Sequence, residues 1–336
     1  KGDTNEIIYS DNSGVSWTGL GMIFNNKCYG VAYNENQDHW LAVGQGNNWA
    51  YYSENGISWT GIGTSRLTRG YGVATNGNRW VVVGRGANNK NRTILYSDNG
   101  RTGWKNIGNS RSDIFTTEAL DVACNGNNWV AVGKGNNHMI AYSTDNAETW
   151  THSLMGNGSN TDTLFTTKAN TVCTNGSRWI AGGKSPSSSP LGYSDDNGQT
   201  WNIVDDPVIN TFSGAAFEIF GSHWDGNRFW IGGAGNSVKL AYSTNGLNWT
   251  KFEDVGGYYV KARAFLSYDN VLFTAGDTLG TYSSAISIDN GNNFSPGISA
   301  DEFFTGTGRT IYGFARKYTP PPPPPVPHFA KGVSMP

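Results

Sequence analysis

The chain of 336 residues carries 24 Lys and Arg against 26 Asp and Glu, and only 15% of its residues are charged. This sparse, balanced charge argues against a nucleic-acid-binding protein, which needs a basic face. No apolar run reaches the ~18 residues that a membrane span requires. The 45 glycines and 13% aromatic residues are typical of many short strands joined by tight turns.

One short phrase recurs seven times along the chain: a Ser, then an acid or Asn, usually a Gly, and a closing aromatic residue. The closing aromatics are about 42 to 51 residues apart, a period typical of β-propeller blades with four strands each. The copies are Ser10–Trp17, Ser53–Trp59, Ser97–Trp104, Ser143–Trp150, Ser194–Trp201, Ser243–Trp249 and Ser287–Phe294.

Residues 71–105 show how one repeat predicts one blade. Tyr71–Thr75 is a short first strand, and Asn76-Gly77 favours a tight hairpin because both residues tolerate positive φ. Trp80–Gly84 is an apolar second strand, which predicts burial on both faces. The third strand is expected at Thr93–Ser97 and the fourth from Trp104, so the blade is an antiparallel meander.

Counting the repeats predicts a closed ring. Six complete blades begin near residues 29, 71, 121, 171, 216 and 263. The start of the chain offers only third and fourth strands (Ile7–Ser10, Trp17–Leu20), and its end only first and second strands (about Phe303–Thr305, Thr310–Arg316). The sequence therefore predicts an all-β, seven-bladed propeller over residues 1–317. Pairing of N- and C-terminal strands in one four-stranded antiparallel blade would hide two strand edges.

The recurring phrase also assigns structural roles. Its acid or Asn is expected to accept backbone N–H groups in the turn between strands three and four, and its aromatic to pack between neighbouring sheets. The expected polar members are Asp11, Asn55, Asp98, Asp145, Asp196, Asn245 and Asp289. The expected aromatic members are Trp17, Trp59, Trp104, Trp150, Trp201, Trp249 and Phe294.

This phrase resembles the Asp-box of BNR-repeat propellers, S-x-D-x-G-x-T-W. The best matches are Ser194–Trp201 and Ser287–Phe294, and the repeat covers most of the chain. The Asn- and Gly-rich texture, as in the segment Val130–Trp150, is also similar to propellers of large algal viruses and bacterial surface proteins. Both resemblances imply a propeller fold, and neither implies one activity.

Residues 318–336 form a separate tail. The run Pro320–Pro325 predicts an extended polyproline II rod. We expect it to be a stiff spacer towards a partner or a further domain, or alternatively a ligand for an aromatic groove.

A binding site is expected on the face that holds the loops from strand four to the next strand one and from strand two to three. Phenylalanines there either fill gaps between blades or form an aromatic platform for a sugar or peptide. Acids there are either solvated or, if two lie about 5–10 Å apart, able to hydrolyse a glycoside. The candidates are Phe115, Phe165, Glu118, Asp162, Asp205 and Asp206.

The sequence gives little support for a catalytic function. Asp-boxes are shared with sialidases, whose three-arginine site has no counterpart in the scattered arginines of this chain, and with two-ring xyloglucan hydrolases, whereas one ring is predicted here. The five histidines show no metal-ligand spacing, and no motif indicates a cofactor. The three cysteines, Cys28, Cys124 and Cys173, are expected to be buried small apolar residues.

These observations favour a non-catalytic propeller displayed outside a cell or on a virion, binding a protein or a glycan. One alternative is a glycan-processing enzyme that uses carboxylates of the loop face. Another is an assembly scaffold, since single-ring Asp-box propellers that assemble photosystems carry an arginine patch. Such a patch would need Arg66, Arg69, Arg85 and Arg92 to cluster.

Overall fold

The structure is a computed structural model. It describes residues 5–87, 92–107, 114–135, 138–185, 189–212, 218–234, 238–252, 261–278, 282, 284–297 and 309–317. The predicted tail 318–336 and the predicted strand at Phe303–Thr305 lie outside these residues.

The described residues form six sheets built on four antiparallel strands, here called blades one to six, and one two-stranded sheet. Two of the six sheets carry a fifth strand. The two-stranded sheet pairs β1 (Ile8–Tyr9) with β2 (Thr18–Gly19). Blade one is β3 (Lys27–Asn34), β4 (His39–Gln45), β5 (Ala50–Ser53) and β6 (Thr60–Gly61). Blade two is β7 (Leu67–Thr75), β8 (Trp80–Gly86), β9 (Ile94–Ser97) and β10 (Lys105–Asn106). Blade three is β11 (Glu118–Asn125), β12 (Asn128–Lys134), β13 (Ile140–Ser143) and β14 (Thr151–His152).

Before blade four come β15 (Leu154–Met155), which pairs parallel to β19, and a 3-10 turn (Thr161–Thr163). Blade four is β16 (Lys168–Thr174), β17 (Trp179–Lys184), β18 (Leu191–Ser194) and β19 (Thr200–Ile203), followed by the short α1 (Pro207–Asn210). Blade five is β20 (Glu218–Trp224), β21 (Phe229–Ala234), β22 (Leu240–Ser243) and β23 (Thr250–Phe252). Blade six is β24 (Lys261–Tyr268), β25 (Val271–Thr278), β26 (Ser284–Ser287) and β27 (Ser295–Pro296), and β28 (Arg309–Thr310) pairs with β25.

The first strand of each blade lies at the inner edge of the array. The strands β3, β7, β11, β16, β20 and β24 contact one another in that order. A Cβ added at Gly30 would lie 3.0 Å from the Tyr71 carbonyl oxygen, which shows how closely two inner strands approach. The second strands are apolar and buried, as at Val81–Val83, because both faces pack against neighbouring sheets.

The prediction of an all-β propeller is confirmed, but six complete blades are present among the described residues rather than seven. The expected pairing of the terminal strands is not observed there, since β1 pairs only with β2 and β28 pairs with blade six. The physical reason lies in Thr310–Arg316, which the sequence analysis assigned to a second strand. This segment has the sequence pattern of a first strand, because Tyr312-Gly313-Phe314-Ala315 is similar to Tyr29-Gly30-Val31-Ala32 and Tyr71-Gly72-Val73-Ala74. No second strand comes after it within the described residues.

We call β1, β2 and Ile311–Lys317 the junction. Its residues contact blades six and one. The Trp17 ring lies edge-on to Phe273 of blade six, with ring centroids 6.1 Å apart, and Ile7 packs beside Phe24 and blade one. The Tyr312 ring lies 5.2 Å from that of Tyr29.

The recurring phrase forms one turn geometry in all seven copies. The Ser hydroxyl donates to the side-chain oxygen of the residue two positions later. It also accepts the backbone N–H of the following Gly, or of Ala147 in the fourth copy. In the first and third copies Asn12 and Asn99 make these contacts, and not Asp11 and Asp98 as expected. In both copies an Asp stands between the Ser and the Asn, and the sequence analysis chose this acid rather than the residue two positions after the Ser.

The other polar members in these contacts are Asn55, Asp145, Asp196, Asn245 and Asp289. Most closing aromatics fix their own turn, because the indole N–H donates to a carbonyl three residues earlier at Trp17, Trp59, Trp150, Trp201 and Trp249. Trp104 instead packs edge-on to Trp49, and Phe294 edge-on to Phe252.

Candidate functional site

Each inner strand carries a β-bulge at the same repeat position. A bulge leaves one residue out of the ladder and redirects its side chain, and bulges are frequent next to functional sites. The residues skipped by the pairing register are Tyr29, Tyr71, Leu120, Asn170, Phe220 and Arg263. The repeat thus places six variable side chains at one level of the inner edge.

Aromatic bulge residues of neighbouring blades contact each other. The ring of Tyr29 lies 5.1 Å from the ring of Tyr71. The guanidinium of Arg263 lies 4.0 Å from the centre of the Phe220 ring and 5.9 Å from that of Tyr312. Such contacts hold the rings in place and leave amphipathic surface for a ligand.

Hydrogen bonds connect the aromatic bulge residue of blade two to blade three. Arg69 Nη1 donates to the Tyr71 hydroxyl at 3.3 Å, and this hydroxyl donates to Glu118 Oε2 at 3.1 Å. Burial raises the pKa of Tyr71, and that of Tyr29 to about 12, so both phenols stay protonated and can donate hydrogen bonds at neutral pH.

Ion pairs occupy the same level on blades four to six. Lys168 Nζ lies 3.0 Å from Glu218 Oε1, and Arg263 Nε lies 2.6 Å from Asp277 Oδ1. Burial alone would raise the pKa of Asp277, but hydrogen bonds from Arg263 hold it below its usual value. These charges neutralise one another in pairs, so the surface has no strong net charge.

We call this surface the inner belt. Its members are Tyr29, Arg69, Tyr71, Glu118, Lys168, Glu218, Phe220, Arg263, Asp277 and Tyr312. The belt combines partly exposed aromatic rings with hydrogen-bond donors and acceptors of fixed geometry, which suits recognition of a polar chain that also offers apolar groups.

The structure places the six predicted site residues at separate points. Phe115 and Phe165 are fully buried in the cores between blades, so they fill gaps and form no ligand platform. Asp206 caps α1, where it accepts the Val208 N–H at 2.8 Å, and it also accepts the Trp249 N–H at 3.1 Å.

Of the remaining three, Asp162 lies in the 3-10 turn and Asp205 is exposed, while Glu118 belongs to the inner belt. The described residues show no hydrogen bond or ion pair that joins any two of the six.

Sequence reasoning missed most of the belt because it searched the loops. The belt instead lies on regular strands, where a bulge is needed to expose a side chain. A signal was present in the repeat: an aromatic residue precedes the small residue of strand one in Tyr29-Gly30, Tyr71-Gly72, Phe220-Gly221 and Tyr312-Gly313.

In the part of the chain that the structure describes, no group of three or more His, Cys, Asp and Glu side chains is arranged to hold a metal ion. No helix among these residues is long and apolar enough to cross a membrane.

Known structures share the fold. YCF48 from Cyanidioschyzon merolae is 16% identical with a TM-score of 0.57, covering 84% of this chain and 88% of its own. YCF48 bound to D1 peptide is 17% identical with a TM-score of 0.55, covering 87% of both chains. The GH74 xyloglucanase from Xanthomonas campestris is 14% identical with a TM-score of 0.54, and the match covers 80% of this chain but 45% of the enzyme.

Neither a protein-family profile nor a curated protein matches the sequence. At these low identities the structural likeness shows the β-propeller fold alone. The chain is therefore a β-propeller, and its function has to be argued from its own residues.

Proposed function

We propose that this chain is a non-catalytic binding module that holds an extended segment of a protein ligand on the inner belt. The observation that carries the proposal is the bulge at one level of all six blades, which turns Tyr29, Tyr71, Phe220 and Arg263 out of the ladder. A peptide offers both kinds of group that the belt can bind: apolar side chains for the rings, and backbone amides for the Tyr71 hydroxyl and the charged groups.

The comparisons are consistent with protein binding. One similar propeller is described as bound to D1 peptide, and another belongs to a nidogen/laminin complex. A glycan remains the second ligand class, because sugars also stack on aromatic rings. Hydrolysis is disfavoured by the belt itself, whose acids Glu218 and Asp277 are already paired with Lys168 and Arg263.

We further propose that the module acts outside a cell or on a virion surface, with residues 318–336 as its connection to a partner or a further domain. Its support is compositional: an Asn-, Ser- and Gly-rich chain with a proline run. Proteomics of the source, comparing surface or virion fractions with cell lysate, tests this placement, and enrichment in the lysate alone would reject it.

The binding proposal is tested with a random dodecapeptide phage library and a glycan array, each probed with the whole chain. We expect enrichment of peptides that contain aromatic residues. The belt variant Y29L/Y71L should lose these peptides by at least about tenfold in affinity, which corresponds to about 1.4 kcal/mol.

The matched control is Arg101→Ala, in the turn between strands three and four of blade two, at the opposite end of the blades from the belt. It should bind the selected peptides as the unaltered chain does. Equal losses in both variants, or binding that ignores the belt change, would reject the belt as the site. Release of oligosaccharides from a panel of plant and algal polysaccharides would instead establish the enzymatic alternative.

A further inference from the structure

The junction contains a cavity of about 580 Å³. Its inner wall is Thr310–Lys317 and its outer wall is Glu6–Tyr9. Its sides are formed by blade one, through Tyr29 and Val31, and by blade six, through Phe273. We call this cavity the slot.

The walls of the slot are held in place by contacts on both sides. The guanidinium of Arg316 lies 4.1 Å from the centre of the Tyr268 ring of blade six. Lys317 Nζ lies 2.5 Å from Asp38 Oδ1 of blade one. In the turn that follows the outer wall, the Ser13 carbonyl oxygen accepts the Tyr268 hydroxyl of blade six at 2.9 Å. The slot is thus a formed cavity between two anchored segments.

Comparison with blade one shows which strand of a complete blade would lie where the slot is. The hydrogen bonds Leu20 N–H to Ile7 O and Glu6 N–H to Gly21 O match Ile62 N–H to Ala50 O and Trp49 N–H to Gly63 O in blade one. Ile8 of β1 therefore corresponds to Tyr51 of the third strand β5. Because Tyr312–Ala315 matches the first strand β3, the slot lies where blade one has its second strand β4.

The strand of the outer wall, β1, has one edge without a partner strand among the described residues. In blade one Tyr51 pairs with Ala42 of β4 on one side and Gly61 of β6 on the other. Ile8 pairs with Gly19 alone among the described residues. The alternation of an antiparallel ladder turns the N–H and C=O of Ile8 towards the slot. In addition, Glu6 lines the slot, and its Oε1 is buried without a hydrogen-bond partner in the described part of the chain.

The sequence of the chain's end does not offer a suitable strand for this position. The second strands of the other blades carry four or five consecutive apolar or small residues, as in Trp129-Val130-Ala131-Val132-Gly133. The six residues Pro320–Pro325 have no N–H to donate to a ladder. The final residues include Lys331 at the centre of their longest apolar stretch, where a buried position would have to take a charge.

We propose that the slot binds one extended apolar strand supplied from outside residues 1–336, running antiparallel to both β1 and Ile311–Lys317. The strand has the second-strand pattern: a leading aromatic, then branched and small apolar residues, then glycine. In the register that β4 has in blade one, the small central residue of the bound strand lies between Phe314 and Ile8. One branched residue precedes this small residue and another follows it. Main-chain hydrogen bonds provide affinity and the apolar walls select the side chains, as in other cases of strand addition.

The probe is a synthetic peptide that copies residues 127–135 of blade three, Asn-Asn-Trp-Val-Ala-Val-Gly-Lys-Gly. We expect it to bind the whole chain with 1:1 stoichiometry in calorimetry and to protect the Ile8 amide from hydrogen exchange. The matched control peptide carries Ala131→Pro, which removes a ladder N–H, and it should bind at least about tenfold more weakly.

Two changes to the chain separate the possible occupants. Ile8→Pro removes the N–H that faces the slot and leaves the β1–β2 pairs, so peptide binding should be lost while the circular dichroism spectrum is retained. Should this variant not fold, protection of Ile8 in the unaltered chain decides the matter. Truncation after Lys317 should leave peptide binding unchanged.

An increase in peptide affinity on truncation would show that the chain's own tail occupies the slot, and would overturn the proposal. Equal binding of the two peptides, or peptide binding without protection of Ile8, would also overturn it. The slot and the inner belt share Tyr29 and Tyr312. Ile8 belongs to the slot alone, so Ile8→Pro separates binding in the slot from binding on the inner belt.

Discussion

Blade four and the junction contain the same repeat, but among the described residues blade four has all four strands and the junction lacks the second. In blade four the indole of Trp201 is fully buried in a core shared with blade three, and both edges of β18 are paired. In the junction Trp17 is only partly buried and one edge of β1 has no partner among the described residues. The comparison teaches that the recurring turn forms without a full blade, because its hydrogen bonds are local, whereas burial of its aromatic residue needs the neighbouring strands.

The largest expected effect tests burial in a complete blade. Trp201→Ala should lower the free energy of unfolding by about 3–5 kcal/mol, the range for large aromatic residues removed from a packed core. Trp17→Ala should cost less than half as much, because its ring already contacts solvent. Urea unfolding of both variants measures the difference, and equal losses would show that the junction is packed as tightly as blade four.

A smaller effect tests the links between neighbouring blades at the face that carries the turns between strands three and four. Arg178 donates to Asp195 of its own blade at 2.7 Å and to the Asn245 carbonyl oxygen of blade five at 2.6 Å. Arg178→Ala should cost about 1–2 kcal/mol, since charged hydrogen bonds are lost but Asp195 is half exposed.

The matched control for this link is Arg101→Ala. Its ion pair with Glu54 is exposed, so the variant should change the free energy of unfolding by less than about 0.5 kcal/mol. Similar urea midpoints for both arginine variants would contradict a role of Arg178 in joining blades.

The pH dependence of the free energy of unfolding tests the packing around a histidine of blade five. Burial lowers the pKa of His223 from 6.5 to about 4, so the folded state favours its neutral ring. Its contribution to stability is complete above pH 6.5 and is lost as the pH falls from about 6.5 to about 4. His223→Gln should flatten this part of a profile of unfolding free energy against pH, and an unchanged slope would reject the assignment.

The smallest effect concerns the turn of the junction. Asn12→Ala should cost about 0.5–1.5 kcal/mol, because Asn12 accepts the Ser16 N–H at 2.9 Å and the Ser10 hydroxyl at 2.9 Å. Asp11→Ala should be within about 0.5 kcal/mol of the unaltered chain. The reverse order in thermal unfolding would restore Asp11 as the polar member of this turn.

The repeat predicted the fold well because it reflects contacts that every blade must make. The turns at Ser194–Trp201 and the buried strand Trp80–Gly84 follow from local hydrogen bonds and from the apolar pattern. The error at Asp11 and Asp98 has a local cause: a Ser hydroxyl selects the side chain two residues away, whether it is an acid or an amide. The missing strand at the junction was not predicted, because counting the repeats assigned Thr310–Arg316 to a second strand although its Tyr312-Gly313 pattern is that of a first strand.

The candidate site was less predictable than the fold. Phe115 and Phe165 recur like ligand-binding residues, but their recurrence reflects gaps between blades that need filling. The belt residues Tyr29, Phe220 and Arg263 differ in type, so no repeat signal marks them as a set. Only the bulge, which depends on the register of two strands, brings them to one level.

Hydrogen exchange at single-residue resolution tests most directly the claim that the junction lacks one strand. The account predicts that the Ile8 amide exchanges much faster than those of Tyr51 and Ala141, which occupy matching positions in complete blades. Protection of Ile8 equal to that of Tyr51 and Ala141 would contradict the account, because it would show that the edge of β1 is already paired.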